Sequence, residues 1–290
     1  MEVAAEAGRW RSGWPAGDAP DLEFLSVAAD EGRWSAGQWP SFEYRDLGLA
    51  KASGGKISAA HLRAIGGGRS SLDGDDEPWH RHEVDFELFY VLSGSVRIQN
   101  PNGEEFTLPT GSACYHPPRL WHRHCEITSD FSCVRIVSPV DAATEPLPAN
   151  RSPEGFPTGG PRGLYTFDID AAYQPGVGPC AGYWIRDLLT DDLTDGRIHA
   201  QVVRALDGTG GGPGWHYHTS AQWLMVLSGQ AELCRDDGTC QTLAVGDSVC
   251  IGRGPRMKHR ASPASEGYAF LELCMPADYQ TVGVAAPEIA

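Results

Sequence analysis

A short histidine motif occurs twice in this chain, and it constrains the fold more than any other feature of the sequence. The first copy is WHRH at residues 79–82, and the second is WHYH at residues 215–218. Each copy is followed by an acid or amide, a Leu-Ser-Gly tripeptide and a third histidine: Glu87, Gly94 and His122 in the first, Gln222, Gly229 and His259 in the second. Such internal similarity predicts two similar domains within the 290 residues.

The spacing of the paired histidines is that of a β-strand, in which side chains two residues apart point to the same face. His80 and His82 can therefore direct both imidazoles at one point, and so can His216 and His218. Glu87 precedes an apolar run that is typical of the next strand. Side chains from several strands meet inside a small barrel, so the pattern predicts a β-barrel around each site. Neutral nitrogens with one carboxylate suit Fe(II), Mn(II), Ni(II) or Zn(II), and not calcium or magnesium.

In these residues the chain resembles the cupin superfamily, whose first motif is His-x-His, three or four residues, Glu, six residues and Gly. The second cupin motif runs from a glycine to a histidine, as Gly111 to His122 and Gly246 to His259 do here. The resemblance covers most of the chain beyond residue 40 in two copies, and it implies a bicupin: an all-β protein with two tandem jelly-roll barrels. The metal ligands it implies are His80, His82, Glu87 and His122 in the first barrel, and His216, His218, Gln222 and His259 in the second.

The two sites differ in one ligand position, where Gln222 replaces the carboxylate that Glu87 provides. A neutral amide is a weak ligand, so a metal in the second barrel would depend on three histidines, with Gln222 in a supporting role. The resemblance implies a second possibility, because metal-free second barrels are common in bicupins. The sequence leaves both possibilities open.

Other polar residues near the motifs have an ordinary and a functional interpretation. Arg63 and Arg204 recur in both repeats and could bind a substrate carboxylate, although salt bridges at strand ends are the more ordinary role. His124 could point into the same barrel as His122, although a surface or supporting role is the more ordinary one, and His116 could either hydrogen-bond a ligand or simply pack.

Composition shifts along the chain predict its domain boundaries. Residues 1–40 contain several tryptophans and are predicted to pack on a barrel or an interface, because a solvated tail would leave that apolar area exposed. The first barrel is predicted at residues 41–140 and the second at 163–290, joined by a Pro- and Gly-rich linker at 141–162. The arm also favours a homo-oligomer, most simply a homodimer.

Charge and cysteine content limit the partners and the compartment. The net charge of −15 makes nucleic acid and anionic membranes improbable partners. The chain has no membrane-spanning apolar run and its start does not resemble a signal peptide, so a cytoplasmic location is expected. The eight cysteines form no Cys-x-x-Cys pair, and buried free thiols are expected rather than disulfides.

An open coordination position on a barrel metal predicts an enzyme acting on a small-molecule substrate. The leading hypothesis is an Fe(II) dioxygenase that cleaves an oxygen-chelating enol, diketone, catechol or hydroxy acid, with Glu87 as ligand or catalytic base. One alternative is an isomerase, cyclase or decarboxylase that uses the metal as a Lewis acid only. The other is a non-catalytic module that binds a small molecule.

Overall fold

The computed structural model of the protein describes residues 19–37, 39, 41–65, 78–147, 164–169, 172–206 and 214–287. Nearly all of its regular structure is antiparallel β-sheet, in two compact units. The first unit includes residues 33–50 and the described part of 55–168; the second includes 19–32, 51–54 and the described part of 169–290. The all-β prediction with two tandem jelly-roll barrels is therefore confirmed. Residues 1–18 of the predicted arm and most of the predicted linker lie outside the described residues.

Strands are numbered along the chain, and β1 (Leu25–Val27) belongs to the second unit. The strands of the first unit are β2 (Ser35–Ala36), β3 (Phe42–Asp46), β4 (Ser58–Ala64), β5 (His80–His82), β6 (Phe86–Ser93), β7 (Ser95–Gln99), β8 (Glu105–Pro109), β9 (Ala113–Tyr115), β10 (Arg123–Ile127), β11 (Ser132–Ser138), β12 (Thr144–Pro146) and β13 (Leu164–Thr166). A one-turn helix, α1 (Leu49–Ala52), lies between β3 and β4 in the sequence.

The other strands of the second unit are β14 (Gln174–Pro175), β15 (Tyr183–Asp187), β16 (His199–Ala205), β17 (His216–His218), β18 (Ala221–Ser228), β19 (Gln230–Arg235), β20 (Cys240–Ala244), β21 (Ser248–Ile251), β22 (His259–Ala264), β23 (Ala269–Met275) and β24 (Thr281–Gly283). Two short 3-10 turns, Gly178–Cys180 and Asp192–Thr194, precede β15 and β16 respectively.

The first unit is built from a large sheet with the strand order β13-β9-β6-β11-β4-β3-β2, a sheet β10-β7-β8 and a pair β12-β5. Alternate residues of β7 are buried, as expected for a strand with one face in a core. Apolar side chains from the two larger sheets form one buried cluster: Phe42, Leu62, Val91, Val96, Ile98, Leu108, Cys114, Ile127, Phe131 and Cys133. Burying a large apolar side chain contributes about 1.5–3 kcal/mol, so this cluster is the main stabilising element of the barrel.

The second unit repeats this layout with a sheet β1-β21-β18-β23-β16-β15-β14 and a sheet β20-β19-β22-β17-β24. Strand β1, from the part of the chain predicted as an arm, pairs with β21 from Leu25↔Cys250 to Val27↔Ser248. The buried cluster of this unit is Leu224, Val226, Ala231, Leu233, Leu243, Val249, Ile251 and Tyr268.

The register of the central strands relates the two units residue by residue. Val137 of β11 lies opposite Glu87 of β6, and Cys274 of β23 lies opposite Gln222 of β18. Two residues earlier on the same strands, Arg135 lies opposite Ala60, and Glu272 lies opposite Gln201. Arg135 and Glu272 therefore occupy equivalent positions, one strand away from the variable ligand position.

The motif glycines form the tight turns that join β6 to β7 and β18 to β19. Gly94 and Gly229 both have φ of +66°, a conformation that side chains rarely adopt. A Cβ on Gly94 would lie 2.3 Å from Thr128 Oγ1, and one on Gly229 would lie 2.8 Å from Tyr268 Cα. Both conformation and close approach therefore require glycine at this motif position.

The cysteine expectation was wrong for one pair. Cys234 and Cys240 are joined in a disulfide across the β19–β20 hairpin, where the register places them opposite each other. Sequence spacing could not reveal this pairing, because it depends on the turn at residues 235–239. The other six cysteines are free thiols; five of them are buried as expected, and Cys180 is half-buried. No helix among the described residues is long and apolar enough to cross a membrane.

Candidate metal centres

Three histidines of the first unit come together from the predicted motif positions. His80 and His82 alternate along β5, so their rings share a face. His122 and His80 are joined by two backbone hydrogen bonds of 3.0 Å, which bring the third ring to the same place. The ring centroid of His122 lies 4.4 Å from that of His80 and 5.2 Å from that of His82. One ring nitrogen of each histidine lies within 4.8 Å of the other two, and all three residues are buried.

The opposite nitrogen of each ring, Nδ1, is held by a protein oxygen. The contacts are His80 to the Pro78 carbonyl oxygen at 2.9 Å, His122 to the Leu120 carbonyl oxygen at 3.0 Å, and His82 to Thr144 Oγ1 at 2.8 Å. A carbonyl oxygen only accepts, so Nδ1 of His80 and His122 donates and the Nε2 atoms carry lone pairs. This is the tautomer in which histidine binds a metal through Nε2.

Two buried atoms of this cluster indicate that a cation fits there. His122 Nε2 and Glu87 Oε2 are fully buried and accept no hydrogen bond from the part of the chain that the structure describes. An unsatisfied buried polar atom costs about 1–3 kcal/mol, and more if it is charged. A divalent cation would satisfy both atoms, and imidazole nitrogens with a carboxylate suit a transition metal.

Burial keeps these imidazoles neutral. It lowers the pKa of His82 to about 3, although the charge of Glu87 opposes the effect. Burial, together with the neighbouring imidazoles, also holds the pKa of His122 well below 6.5. Because only the neutral ring offers a lone pair, both histidines are in the metal-binding form at neutral pH.

Glu87 is held by an arginine that the sequence analysis did not identify. Arg135 donates from Nε and Nη2 to Glu87 Oε1, at 2.7 Å and 2.6 Å. The other carboxylate oxygen, Oε2, lies 3.6 Å from His82 Nε2. Burial acts to raise the pKa of Glu87, but its interactions with the neighbouring His82 and with the Arg135 guanidinium hold it below its usual range. Glu87 is therefore ionised. Its Oε1 is bound to the Arg135 guanidinium, and its Oε2 faces the histidine triad.

His116 and His124 extend the histidine cluster. His116 is buried, its ring lies 4.0 Å from that of His122, and its Nδ1 is 3.8 Å from Glu87 Oε2. The ring of His124 lies 5.9 Å from His80 and borders the cavity. His116 thus packs against the ligand set rather than elsewhere in the barrel, and its equivalent in the second unit is the apolar Ile251.

The second unit forms a matching triad. One nitrogen of each of His216, His218 and His259 lies within 4.8 Å of the others. Their Nδ1 atoms contact the Gly214 carbonyl oxygen at 2.7 Å, Thr281 Oγ1 at 3.1 Å and the Met257 carbonyl oxygen at 2.9 Å, respectively. Burial lowers the pKa of all three, in His259 to about 4. The second triad is therefore as well prepared for a metal as the first.

Gln222 lines the cavity beside this triad and contacts a buried acid. Its amide nitrogen donates to Glu272 Oε1, and the amide nitrogen of Gln201 donates to Glu272 Oε2. Burial raises the pKa of Glu272, and the hydrogen bonds from the two amides offset part of that rise. A carboxylate is thus present near the second triad, on the strand next to the one that the motif predicted.

His80 and His82 of the first triad, and all three histidines of the second, border apolar cavities. The walls of the first cavity include Phe42, Leu62, Phe89, Val96, Leu108 and Phe131, with Arg135 as the cationic group. The second is bordered by Tyr183, Tyr268, Phe270, Tyr279, Gln201 and Glu272.

The arginines that recur in both repeats do not border these cavities. Arg63 pairs with Glu43 at 2.7 Å with both side chains partly exposed, and Arg204 stacks on Tyr173 at 4.1 Å. The salt-bridge interpretation therefore holds for Arg63. Arg135 and Glu272, which do border the cavities, have a sequence signal: each is a charged residue within an apolar run and lies four residues before a proline, Pro139 or Pro276.

Comparison with known proteins identifies the family of this fold. The Cupin domain model matches residues 72–138 and 204–274, and no curated protein sequence matches the chain. A solved variant of Bacillus subtilis oxalate decarboxylase superposes with a TM-score of 0.61 and 16% identity, covering 90% of this chain and 79% of that chain. The formate complex of Lactobacillus farciminis oxalate decarboxylase gives a TM-score of 0.59 and 12% identity, covering 90% and 88%. At these identities the likeness establishes the fold and leaves the reaction open.

Proposed function

Because the chain is a bicupin of the cupin superfamily, we propose that its first barrel is a metal-dependent enzyme site for a small, oxygen-chelating carboxylic acid with an apolar body. The observation that carries this proposal is the triad of His80, His82 and His122, of which His80 and His82 border an apolar cavity that is also lined by the Arg135 guanidinium. A metal bound there would act as a Lewis acid on a substrate oxygen.

The cavity wall supports the choice of substrate class. Arg135 uses Nε and Nη2 to bind Glu87, which leaves Nη1 for a substrate carboxylate. The remaining wall is formed mainly by aromatic and aliphatic side chains, and these favour a substrate with an apolar part. Oxalate itself has no such part, so an acid with an apolar group matches this wall better than the substrate that names the similar solved structures.

We place decarboxylation ahead of the dioxygenase reaction that the sequence favoured. Loss of CO2 disperses the negative charge of a carboxylate, so an apolar wall destabilises the charged substrate more than the transition state. The pKa of Glu87 lies below its usual range, so Glu87 is a weak base, and its role in this reaction is that of a metal ligand through Oε2. The similar solved structures are themselves decarboxylases, which makes this reaction the first to test.

Oxidative cleavage remains the second candidate because of the geometry of Glu87. The three histidines form the compact ligand group, while one carboxylate oxygen of Glu87 is bound to Arg135. Three protein ligands would leave enough positions on a six-coordinate metal for a chelating substrate and O2 together.

The two reactions differ in their use of oxygen. Protein loaded with Mn(II), Fe(II) or Co(II) would be incubated with oxalate and with 2-oxo and 2-hydroxy acids carrying alkyl or aryl groups, in sealed vessels with and without O2. We expect CO2 release that does not require O2. Matched O2 uptake would instead establish the dioxygenase, and the absence of turnover with every acid and metal would favour a binding module.

Two variants connect the activity to this site. The double variant His80→Ala/His82→Ala should lose metal from the first barrel and all turnover while remaining folded. Arg135→Gln should raise KM for the acid, whereas Arg97→Gln, at an exposed arginine that pairs with Glu105 at 2.5 Å, should leave KM unchanged. Full activity in the double histidine variant would contradict the assignment of the reaction to the first barrel.

A further inference from the structure

Trp39 lies against the first histidine triad, although it comes from the edge of the large sheet. It follows β2, which ends the strand order of that sheet, and precedes β3. Its ring centroid lies 4.8 Å from that of His80, with the ring planes tilted by 47°. The indole also borders the first cavity and packs against the buried apolar cluster of this unit. A substrate held beside His80 therefore meets this side chain.

The first cavity contains little free space while the indole occupies this position. Its volume is about 30 Å³, which is room for little more than water. The cavity of the second unit has about 80 Å³. There the segment between the corresponding strands, β14 and β15, borders the cavity with Cys180, whose side chain is much smaller than an indole. An acid with an apolar group therefore enters the first cavity only if a wall residue moves.

Trp39 is the wall residue whose backbone can move at low cost. It belongs to a short segment, here called the strap, that comprises residues 34–37 and 39. The strand of the strap, β2, has two residues, both exposed, and pairs with β3 at two positions. Most of the other wall residues belong to strands that pair on both sides, such as β4, β6 and β11. Segments with few buried contacts open locally at a small cost in free energy, so the strap opens more easily than these strands.

Two contacts determine where the strap lies in this structure. At its start, the Arg63 guanidinium stacks on the Trp34 ring at 4.0 Å, and the His61 ring lies 5.0 Å from the same indole. Further along, a Cβ on Gly37 would lie 1.7 Å from Cε2 of Tyr44, which is itself a wall residue of the cavity. The backbone at Gly37 thus lies directly on the Tyr44 ring, and this close approach requires glycine.

We propose that Trp39 determines which acids the first barrel binds, because its indole occupies the space that the apolar group of a substrate requires. A large acid binds when the strap moves away and the apolar group replaces the indole against the same apolar side chains. The apparent affinity for such an acid is reduced by the fraction of molecules in which the indole has not moved. This inference rests on the function proposed for the first barrel, and it adds the residue that selects the substrate.

The experiment measures acid binding to the full chain loaded with Zn(II), in a His216→Ala/His218→Ala background so that binding reports on the first barrel. Calorimetric titrations would compare oxalate with 2-hydroxy acids that carry methyl, isopropyl or phenyl groups. Trp39→Ala should raise the affinity for the phenyl acid by about tenfold, with a smaller gain for each smaller acid. Trp184→Ala removes an indole that is 40% exposed in the second unit and should leave all four affinities unchanged.

Gly37→Ala tests the same wall without removing the indole. The new Cβ would clash with Tyr44 and displace the strap, so the affinity for the phenyl acid should again rise relative to oxalate. This variant keeps the test decisive if Trp39→Ala does not fold. Fluorine NMR of protein labelled with 5-fluorotryptophan gives a direct readout of the indole. The phenyl acid should shift the Trp39 signal, assigned with Trp39→Phe, more than oxalate does.

The inference is overturned if Trp39→Ala and Trp184→Ala show the same preference among the acids, or if the phenyl acid binds without shifting the Trp39 signal. In both of these results the acids still bind, so the function proposed for the first barrel stands. If the first barrel with its native residues binds none of the acids, the proposed function and this inference fail together.

Discussion

Glu87 and Gln222 occupy the same position of the two repeats, yet each is held by a different side chain of the adjacent strand. The carboxylate of Glu87 binds the Arg135 guanidinium, and the amide of Gln222 binds the Glu272 carboxylate. The properties of a ligand in this fold therefore depend on a pair of residues, one from the motif and one from a strand distant in the sequence. A substitution at either member changes the charge that a metal would experience.

Replacing Glu87 with Gln tests its role as a ligand. The amide cannot offset a dication, and the change leaves the Arg135 cation without its partner. We expect the metal affinity of the first barrel to fall by about 10- to 100-fold or more. Titration with Mn(II) and Zn(II) in a His216→Ala/His218→Ala background would measure it.

The control for this change is Glu105→Gln, which breaks the exposed pair with Arg97 and should leave metal affinity unaltered. Equal affinities for the wild-type protein and Glu87→Gln would show that Glu87 is not a ligand and that the first barrel uses three histidines.

The histidines of both sites could be predicted because their convergence is encoded locally. Residues two apart on one strand share a face in any fold. The convergence of His80 and His82 could therefore be predicted without knowing how the strands are arranged. Arg135 and Glu272 could not be placed in this way, because strand pairing across long sequence separations brings them to the site. A charge within an apolar run, four residues before a proline, was their sequence signal, and it does not say which cavity the side chain borders.

At the scale of elements, the hairpin of β6 and β7 contains two parts of the motif: the candidate ligand Glu87 and the turn residue Gly94. Its Leu-Ser-Gly turn follows the strand that carries Glu87 and reverses the chain at Gly94 with φ of +66°. The sequence identified Gly94 as a motif position but not the turn that it forms, in which glycine is required because other residues are strained there. It did not predict the disulfide between Cys234 and Cys240, which depends on how two strands align across a hairpin.

Gly94→Ala should destabilise the protein more than a glycine substitution in an open turn. A left-handed conformation costs a non-glycine residue about 1–2 kcal/mol, and the new Cβ would also clash with Thr128. Gly103 has a similar φ of +84° with no atom within 4 Å, so Gly103→Ala carries the conformational cost alone. Urea unfolding of the two variants should give a lower free energy of unfolding for Gly94→Ala, and equal values would exclude the clash as a factor.

At the scale of the whole molecule, buried neutral histidines make stability depend on pH. Burial is the largest cause of a lowered pKa in seven of them: His61, His82, His116, His122, His216, His218 and His259. Two groups, Glu272 and His199, have raised pKa values and act in the opposite direction. Because the seven histidines outnumber these two groups, the net effect is a loss of stability as the pH falls.

The metal-free protein should lose stability as pH falls from about 6.5 to about 4. In this window the unfolded chain, with ordinary histidine pKa values near 6.5, binds protons that folded His82 and His259 do not, since their pKa values are about 3 and about 4. Melting temperatures between pH 7.5 and 4.5 would show the decline, and His259→Gln should make it shallower. A flat profile over this window would contradict the buried, neutral state of the triads.

Deletion of residues 1–27 should lower the melting temperature. The deletion removes β1 and leaves β21 as an unpaired edge, and it exposes the area that Leu22 covers, since this residue is 2% exposed. Deletion of residues 1–18 alone separates the effect of β1 from that of the residues before it. Light scattering of all three proteins would also test the predicted homodimer, and an unchanged melting temperature in the longer deletion would refute a structural role for the arm.

The backbone pairing of His80 with His122 has a consequence for the stability of the protein. The two residues exchange hydrogen bonds across strands that are far apart in the chain, and their rings project from the same rung. Any ion gripped between these rings acts as a clip that closes the long loop separating them, and the benefit of such closure grows with loop length. An ion bound there would therefore add to the stability of a barrel that is already folded, so shortage of the ion would lower the protein's resistance to unfolding as well as its activity.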